Sequence, residues 1–183
     1  MSFITETKLR SYQELSESKL YKFSSKTGAF LTVFLSHSHK DRDLVLSLIE
    51  VLARFKIKVY VDWQDSTMPR VTNRITAEGI KKRISALDVF LVLATNNAMN
   101  SKWVPWEIGI ADNLKELETI AIIPVVDSSG VFTGNEYLQL YPRVDIQNNF
   151  WKITNPGQYQ STFFDIWLRN AQIMRLEKST IWK

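Results

Sequence analysis

Phe30-Leu31-Thr32-Val33-Phe34-Leu35-Ser36-His37-Ser38-His39-Lys40-Asp41 is the stretch that decides the fold: a short, mostly apolar run enters a polar loop and then, at once, a helical pattern. A run of this length without polar alternation reads as a strand buried on both faces, as in parallel sheets. From Asp41 to Phe55 the spacing changes, with Leu44, Val45, Leu48, Ile49, Leu52 and Phe55 recurring at helical intervals. Ser38, with Asp41 three residues on, resembles a capping box at the helix start.

The same alternation of strand and helix continues outward. Residues 88–94 and 120–126 are further buried strands, and 56–61 is a shorter, half-alternating one. Helices are expected over 73–85, with Ile75, Ile80 and Ile84 inward, and over 102–117. Repeated strand–helix units with right-handed crossovers imply an α/β fold: an open parallel sheet with helices on both faces. Ligands of such sheets bind beyond the carboxyl ends of the strands, so the loops after Leu35, Val61 and Ala94 are where chemistry is expected. Gly and Pro among polar residues make 127–160 read as a long loop with one short edge strand at 143–146. A last helix over 162–177 is expected to pack Phe163, Phe164, Trp167, Leu168 and Ile173. Residues 1–28 read as an N-terminal extension with a short helix on Leu9, Tyr12, Leu15 and Leu20, and 29–183 as a single domain.

Bulk properties narrow the function classes. With 183 residues and 45% hydrophobic content, the chain can fill one complete core. The net charge is +4, but 23 basic and 19 acidic residues are interspersed, unlike the clustered basic stripe of a nucleic-acid binder. The absence of cysteine excludes disulfides, thiolate metal sites and cysteine nucleophiles. No segment has the apolar length of a signal peptide core or a membrane span, so a cytoplasmic protein without membrane attachment is expected.

Three segments could carry chemistry. In Ser101-Lys102-Trp103-Val104-Pro105-Trp106-Glu107-Ile108, Pro105 must sit near a helix start, since deeper it would remove a backbone hydrogen bond. Val104, Ile108 and Ala111 then face the core, and the adjacent row is Trp103, Glu107, Ile110 and Leu114. Glu107 is thus an acid on an otherwise apolar stripe, either capping the helix or pairing with a neighbour, or else facing a polar cleft. In the first loop, His37, His39 and Asp41 match the opening of an H-x-H-x-D metal box, but the chain has only two histidines. A dinuclear hydrolase needs more, so no metal is expected, and the loop either contacts phosphate or ribose or merely caps its helix. Asp62 is a turn former or a ligand contact, and Trp63 a cover for a flat ring or a plug at the sheet edge.

Taken together these segments resemble the Toll/interleukin receptor (TIR) domain family. The first box corresponds to Phe34-Leu35-Ser36-His37-Ser38 with Asp41, the second loop opens at Asp62, and Ser-x-Trp-x-x-x-Glu falls on Ser101, Trp103 and Glu107. The resemblance spans residues 30–146 and implies a flavodoxin-like, three-layer α/β/α fold with a five-stranded parallel sheet. It is nearer the bacterial members than the animal receptor adaptors, and implies cleavage of NAD+ between nicotinamide and ribose. NAD+ would be the substrate, not a cofactor, and no separate cofactor is implied.

The family's catalytic glutamate falls on Glu107, its aromatic on Trp103, and its remaining substrate contacts on His37, Ser38, Asp62 and Trp63. The tip of the family's second loop corresponds to Met68-Pro69-Arg70. One carboxylate suffices because nicotinamide leaves as a neutral molecule and needs no proton, unlike an ordinary glycoside's leaving group. Glu107 would stabilise an oxocarbenium-like ribose. The product would be ADP-ribose, a cyclic form or a conjugate. Implied partners are further copies, through TIR–TIR contacts, and a separate sensor or effector in antiphage defence. The alternative is an interaction module that assembles with other TIR domains and catalyses nothing. A phosphoacceptor receiver is excluded, because it needs acids where this chain has Ser36-His37 and Thr95-Asn96.

Overall fold

In a computed structural model describing residues 3–12, 31–65 and 73–181, the long apolar runs become the central strands of one sheet. In chain order the strands are β1 (Ile4–Thr5), β2 (Leu31–Ser36), β3 (Ile57–Tyr60), β4 (Val89–Ala94), β5 (Ile120–Val126), β6 (Arg143–Gln147), β7 (Phe150–Thr154) and β8 (Ser161–Phe163). The helices are α1 (Glu6–Arg10), α2 (Arg42–Arg54), α3 (Arg74–Ala86), α4 (Asn96–Met99), α5 (Trp103–Leu114) and α6 (Phe164–Ile181). The sheet order is β3-β2-β4-β5-β6-β7-β8, and β1 pairs with β5. From β3 to β6 every pairing is parallel, which is the flavodoxin-like order of five strands expected from the sequence.

Alternation along the strands sorts side chains into two cores. Val33, Leu35, Leu91, Leu93, Ala121 and Ile123 face α2 and α6, whose Leu44, Leu48, Leu52, Phe164 and Leu168 cover them. Phe34, Phe90, Val92, Ile120 and Ile122 face the opposite way, under Ile80 and Ile84 of α3 and Val104, Ile108 and Ala111 of α5. Every residue of β4 and β5 is buried, which explains why those runs show no polar alternation.

Several expectations need correction. Residues 127–160 are not one long loop: β6 and β7 form an antiparallel hairpin, and β8 adds to its far edge, so the sheet exceeds five strands. Asn148 and Asn149 turn the hairpin with φ of 50° and 64°, the left-handed pair that a two-residue connection demands and that Asn tolerates. Ile75 lies outward and 67% exposed, because its neighbour Thr76 takes the inward position at the start of α3. Phe163 ends β8 and Ile173 faces outward, so only Phe164, Trp167 and Leu168 of the residues expected inward are buried. Leu114, at the end of α5, is also exposed.

In the N-terminal segment, Ile4 and Leu9 are buried within the α2-side core, and β1 lies parallel to the end of β5. Leu15, Leu20 and Met68-Pro69-Arg70 lie outside the described residues.

Candidate functional site

Strand alternation places Ser36, two residues beyond Phe34, on the α5 side of the sheet at the carboxyl end of β2. Helix α5 starts above that point. Ser101 receives the backbone N–H of Trp103 at 3.2 Å, satisfying one of the donors a helix start leaves open. Pro105 sits within the first turn, where its missing N–H costs nothing. Val104, Ile108 and Ala111 turn into the core as expected, and this rotation swings Glu107 towards β2. The Ser36 hydroxyl donates to Glu107 Oε2 at 2.5 Å, joining residues 71 apart in the chain.

Glu107 is only 7% exposed. Burial penalises its anion most, the Ser36 hydroxyl opposes that, and the negative charge of Asp62 adds to it; the net result pushes its pKa from 4.5 up to about 8. A carboxyl with this proton affinity, at the ligand edge of a parallel sheet, has the character of a functional group rather than a solvated helix cap. Among the described residues Ser36 is its one hydrogen-bond partner. Ser36 belongs to the first box but not to the expected site residues; the signal that could have found it is period-two alternation along β2, which puts it on the same side as Phe34.

The first-loop and second-loop residues meet beside this pair. His37 Nδ1 donates to the Leu35 carbonyl at 2.8 Å, which fixes the ring, and the Trp63 ring stands edge-on to it at 4.6 Å. Burial lowers the His37 pKa below the ordinary 6.5, although the Leu35 carbonyl and Asp62 both favour the charged form. Asp62 Oδ1 lies 3.6 Å from His37 Nε2 and Oδ2 lies 3.5 Å from His39 Nε2. Trp63 also packs against the α2-side core, with the Arg42 guanidinium over its ring at 5.6 Å. It therefore plugs the sheet edge, whatever else it contacts.

Ser38 caps the short 3-10 turn His39–Asp41 by accepting the Lys40 N–H, but the expected capping box is not completed. Asp41 turns away instead, accepting from Thr95 Oγ1 at 2.5 Å and Asn97 Nδ2 at 2.7 Å, and so locks the first loop to the loop after β4. Trp103 is half-buried and meets Trp106 edge to face at 5.2 Å, while Lys81 of α3 sits over the Trp106 ring. The bulk of Trp106 thus fills the α3–α5 seam.

The loops after β2 and β3 and the start of α5 thus bring Ser36, His37, Ser38, Asp62, Trp63 and Glu107 to one edge, at the point where strand order reverses between β2 and β4. Two surface clefts lie elsewhere: one beside Leu31, Arg54 and Asp165, the other beside Ile122, Tyr141 and Asn155. Neither includes Glu107.

A flavodoxin-like sheet with an acid-bearing helix start over the end of β2 defines a class, and the sequence profile of the TIR domain matches residues 33–154; the chain belongs to the TIR domain family. It is 30% identical to a Bacillus cereus (strain MSX-D12) protein named "Probable 3' cyclic ADP-D-ribose synthase ThsB'", across 87% of this chain and 95% of that one. A Cytobacillus dafuensis protein named "Putative cyclic ADP-D-ribose synthase TIR2" is 29% identical over 45% of this chain and 22% of its own length. Among the described residues no helix is long and apolar enough to cross a membrane.

Proposed function

We propose that this chain cleaves NAD+ at the nicotinamide–ribose bond and passes the ADP-ribosyl group to an acceptor within the same molecule, giving a cyclic ADP-ribose. The observation that carries the reading is the buried Glu107 held by Ser36 at the ligand edge of the sheet. The names of the two relatives favour the internal acceptor over water. NAD+ is the substrate and no cofactor takes part.

The nicotinamide nitrogen of NAD+ is already a pyridinium. When the glycosidic bond breaks, both its electrons go to that nitrogen and a neutral molecule departs. Positive charge then develops on the ribose, and an anionic Glu107 in a water-poor site stabilises it far more than water would. In the protein alone the raised pKa keeps Glu107 mostly protonated at neutral pH. The cationic ring of an arriving NAD+ favours loss of that proton, so the substrate helps create the anion that attacks its stability. Ser36 holds the carboxyl in one orientation. Trp103 supplies a flat surface for a ring, and His37, Ser38, Asp62 and Trp63 form the neighbouring wall for ribose and phosphate.

The same reading assigns the chain to bacterial antiphage signalling in the cytoplasm, acting with further copies through TIR–TIR contacts and with a separate sensor or effector protein. A non-catalytic assembly module would account for the fold but gives the costly buried acid no task. The test is to incubate concentrated purified protein with NAD+ and separate the products by chromatography. Nicotinamide together with a cyclic adenine-containing product supports the proposal. Nicotinamide with linear ADP-ribose alone moves the acceptor to water. A folded, self-associating protein that releases no nicotinamide favours the assembly module.

A further inference from the structure

Outside the Ser36–Glu107 pair, the residues His37, His39 and Asp62 offer one donor atom each, all within 4.8 Å of one another. The His37 side chain is 4% exposed, Asp62 28% and His39 71%, so the cluster runs from the protein interior to solvent. The carbonyl of Leu35 can only accept, so a proton sits on His37 Nδ1, and in the neutral imidazole the Nε2 lone pair is then directed at Asp62. That Nε2 is buried and has no hydrogen-bond partner among the described residues. It faces Asp62 Oδ1 at 3.6 Å, too far for a hydrogen bond and with no proton between two acceptors. A buried lone pair set against a carboxylate oxygen, here one that also accepts the Trp63 N–H at 2.8 Å, is unfavourable unless a cation, a proton or a water lies between them.

The spacing suits such a cation. Two donors on a tetrahedral ion, each about 2.1 Å from it, lie about 3.4 Å apart. Asp62 turns one oxygen to each ring, Oδ1 at 3.6 Å from His37 Nε2 and Oδ2 at 3.5 Å from His39 Nε2, so each imidazole has a carboxylate oxygen near that spacing. A backbone carbonyl fixing the far nitrogen of a ligating histidine is also the usual outer support of such sites, and Leu35 supplies it for His37. No metal was expected at the sequence motif His37-x-His39-x-Asp41; in the fold Asp41 is committed to Thr95 and Asn97, and the acid beside the two histidines is Asp62, just after β3.

We infer that His37, His39 and Asp62 bind one divalent transition-metal ion, of the Zn2+ class, with a remaining position open to water or an anionic oxygen. Two imidazoles and a carboxylate are borderline donors that favour Zn2+ and its neighbours over Mg2+ or Ca2+. The site shares His37 and Asp62 with the wall proposed for ribose and phosphate but does not include Glu107, so metal binding can be read without turnover.

Untagged, chelator-treated full-length protein should be titrated with Co2+, whose visible absorption reports bound imidazole and coordination number, followed by displacement with Zn2+. The expected result is a saturable band at one equivalent, bleached by Zn2+. His39→Ala and Asp62→Asn should each weaken binding at least about tenfold. His39 is well exposed, so its variant tests the site without endangering the fold. Glu107→Gln should keep the band unchanged, which separates metal binding from the proposed reaction. Absence of a saturable band, or an unchanged band in His39→Ala, would overturn the inference and leave a bridging water or proton between His37 and Asp62.

Discussion

The proposed reaction needs Glu107 as an anion, the form that burial disfavours in the folded protein, and that conflict has two measurable consequences. If the anion is the working form, kcat/KM for NAD+ should rise with pH and be half-maximal near the free-protein pKa of about 8. The ionised fraction increases about tenfold between pH 7 and pH 9 for such a group, and kcat/KM should follow. A profile flat across that interval contradicts the assignment of the anion. The second consequence concerns stability. The folded-state pKa is raised, so between 4.5 and about 8 the folded protein holds a proton that the unfolded chain has lost. The contribution of Glu107 to stability is therefore fully present below that window and declines as pH rises through it. Glu107→Gln keeps an oxygen for the Ser36 hydroxyl and removes the titration. It should match the parent at pH 5 and exceed it by a few kcal/mol at pH 8.5 in denaturant unfolding; equal stability at both pH values would be contrary to burial as the cause.

Helix α5 is the element on which the site depends, and its beginning was legible in sequence while its neighbours were less so. Pro105 and the Val104–Ile108–Ala111 row fixed its start and rotation from local chemistry, and the fold agrees. Gly109 is a weakness in this helix: it is exposed and a Cβ there would meet nothing within 4 Å. Gly109→Ala should stabilise the protein by roughly 0.5–1 kcal/mol through helix propensity and leave turnover unchanged, as read by unfolding midpoint and initial rate. Elements whose identity depends on pairing with distant strands were harder to read. Of the β6–β7 hairpin, the sequence showed β6 as the strand expected at 143–146, while β7 was missed and the turn was marked by the Asn148-Asn149 pair. Ile75 looked inward on periodicity, but at a helix end one residue of phase decides the face, and Thr76 took it. In the site, adjacency in sequence revealed His37 and Glu107 separately; the Ser36–Glu107 bond spans 71 residues and could be read only by following strand alternation through the crossover.

Across the whole molecule, the two cores place the reactive edge on a scaffold that extends further than expected. Leu9 is fully buried among side chains of the α2-side core, and Ile4 sits beside β5. Residues near the N-terminus therefore contribute to the same packing that holds β2 and its loop. Leu9→Ala should cost about 2–5 kcal/mol, as large-to-small changes in packed cores do, and a loss below about 0.5 kcal/mol in denaturant unfolding would mean this segment does not pack there. On that scaffold Asp41, Thr95 and Asn97 hold the first loop against the loop after β4, while the five parallel strands set the separation between β2 and α5. The central claim is that this arrangement exists to put one carboxylate against a ribosyl cation. Its most direct measurement is nicotinamide release from NAD+ by the parent protein and by Glu107→Gln at equal folded concentration. The expected result is release by the parent and a fall of at least about 10²–10³-fold in the variant; comparable release by both proteins would contradict it.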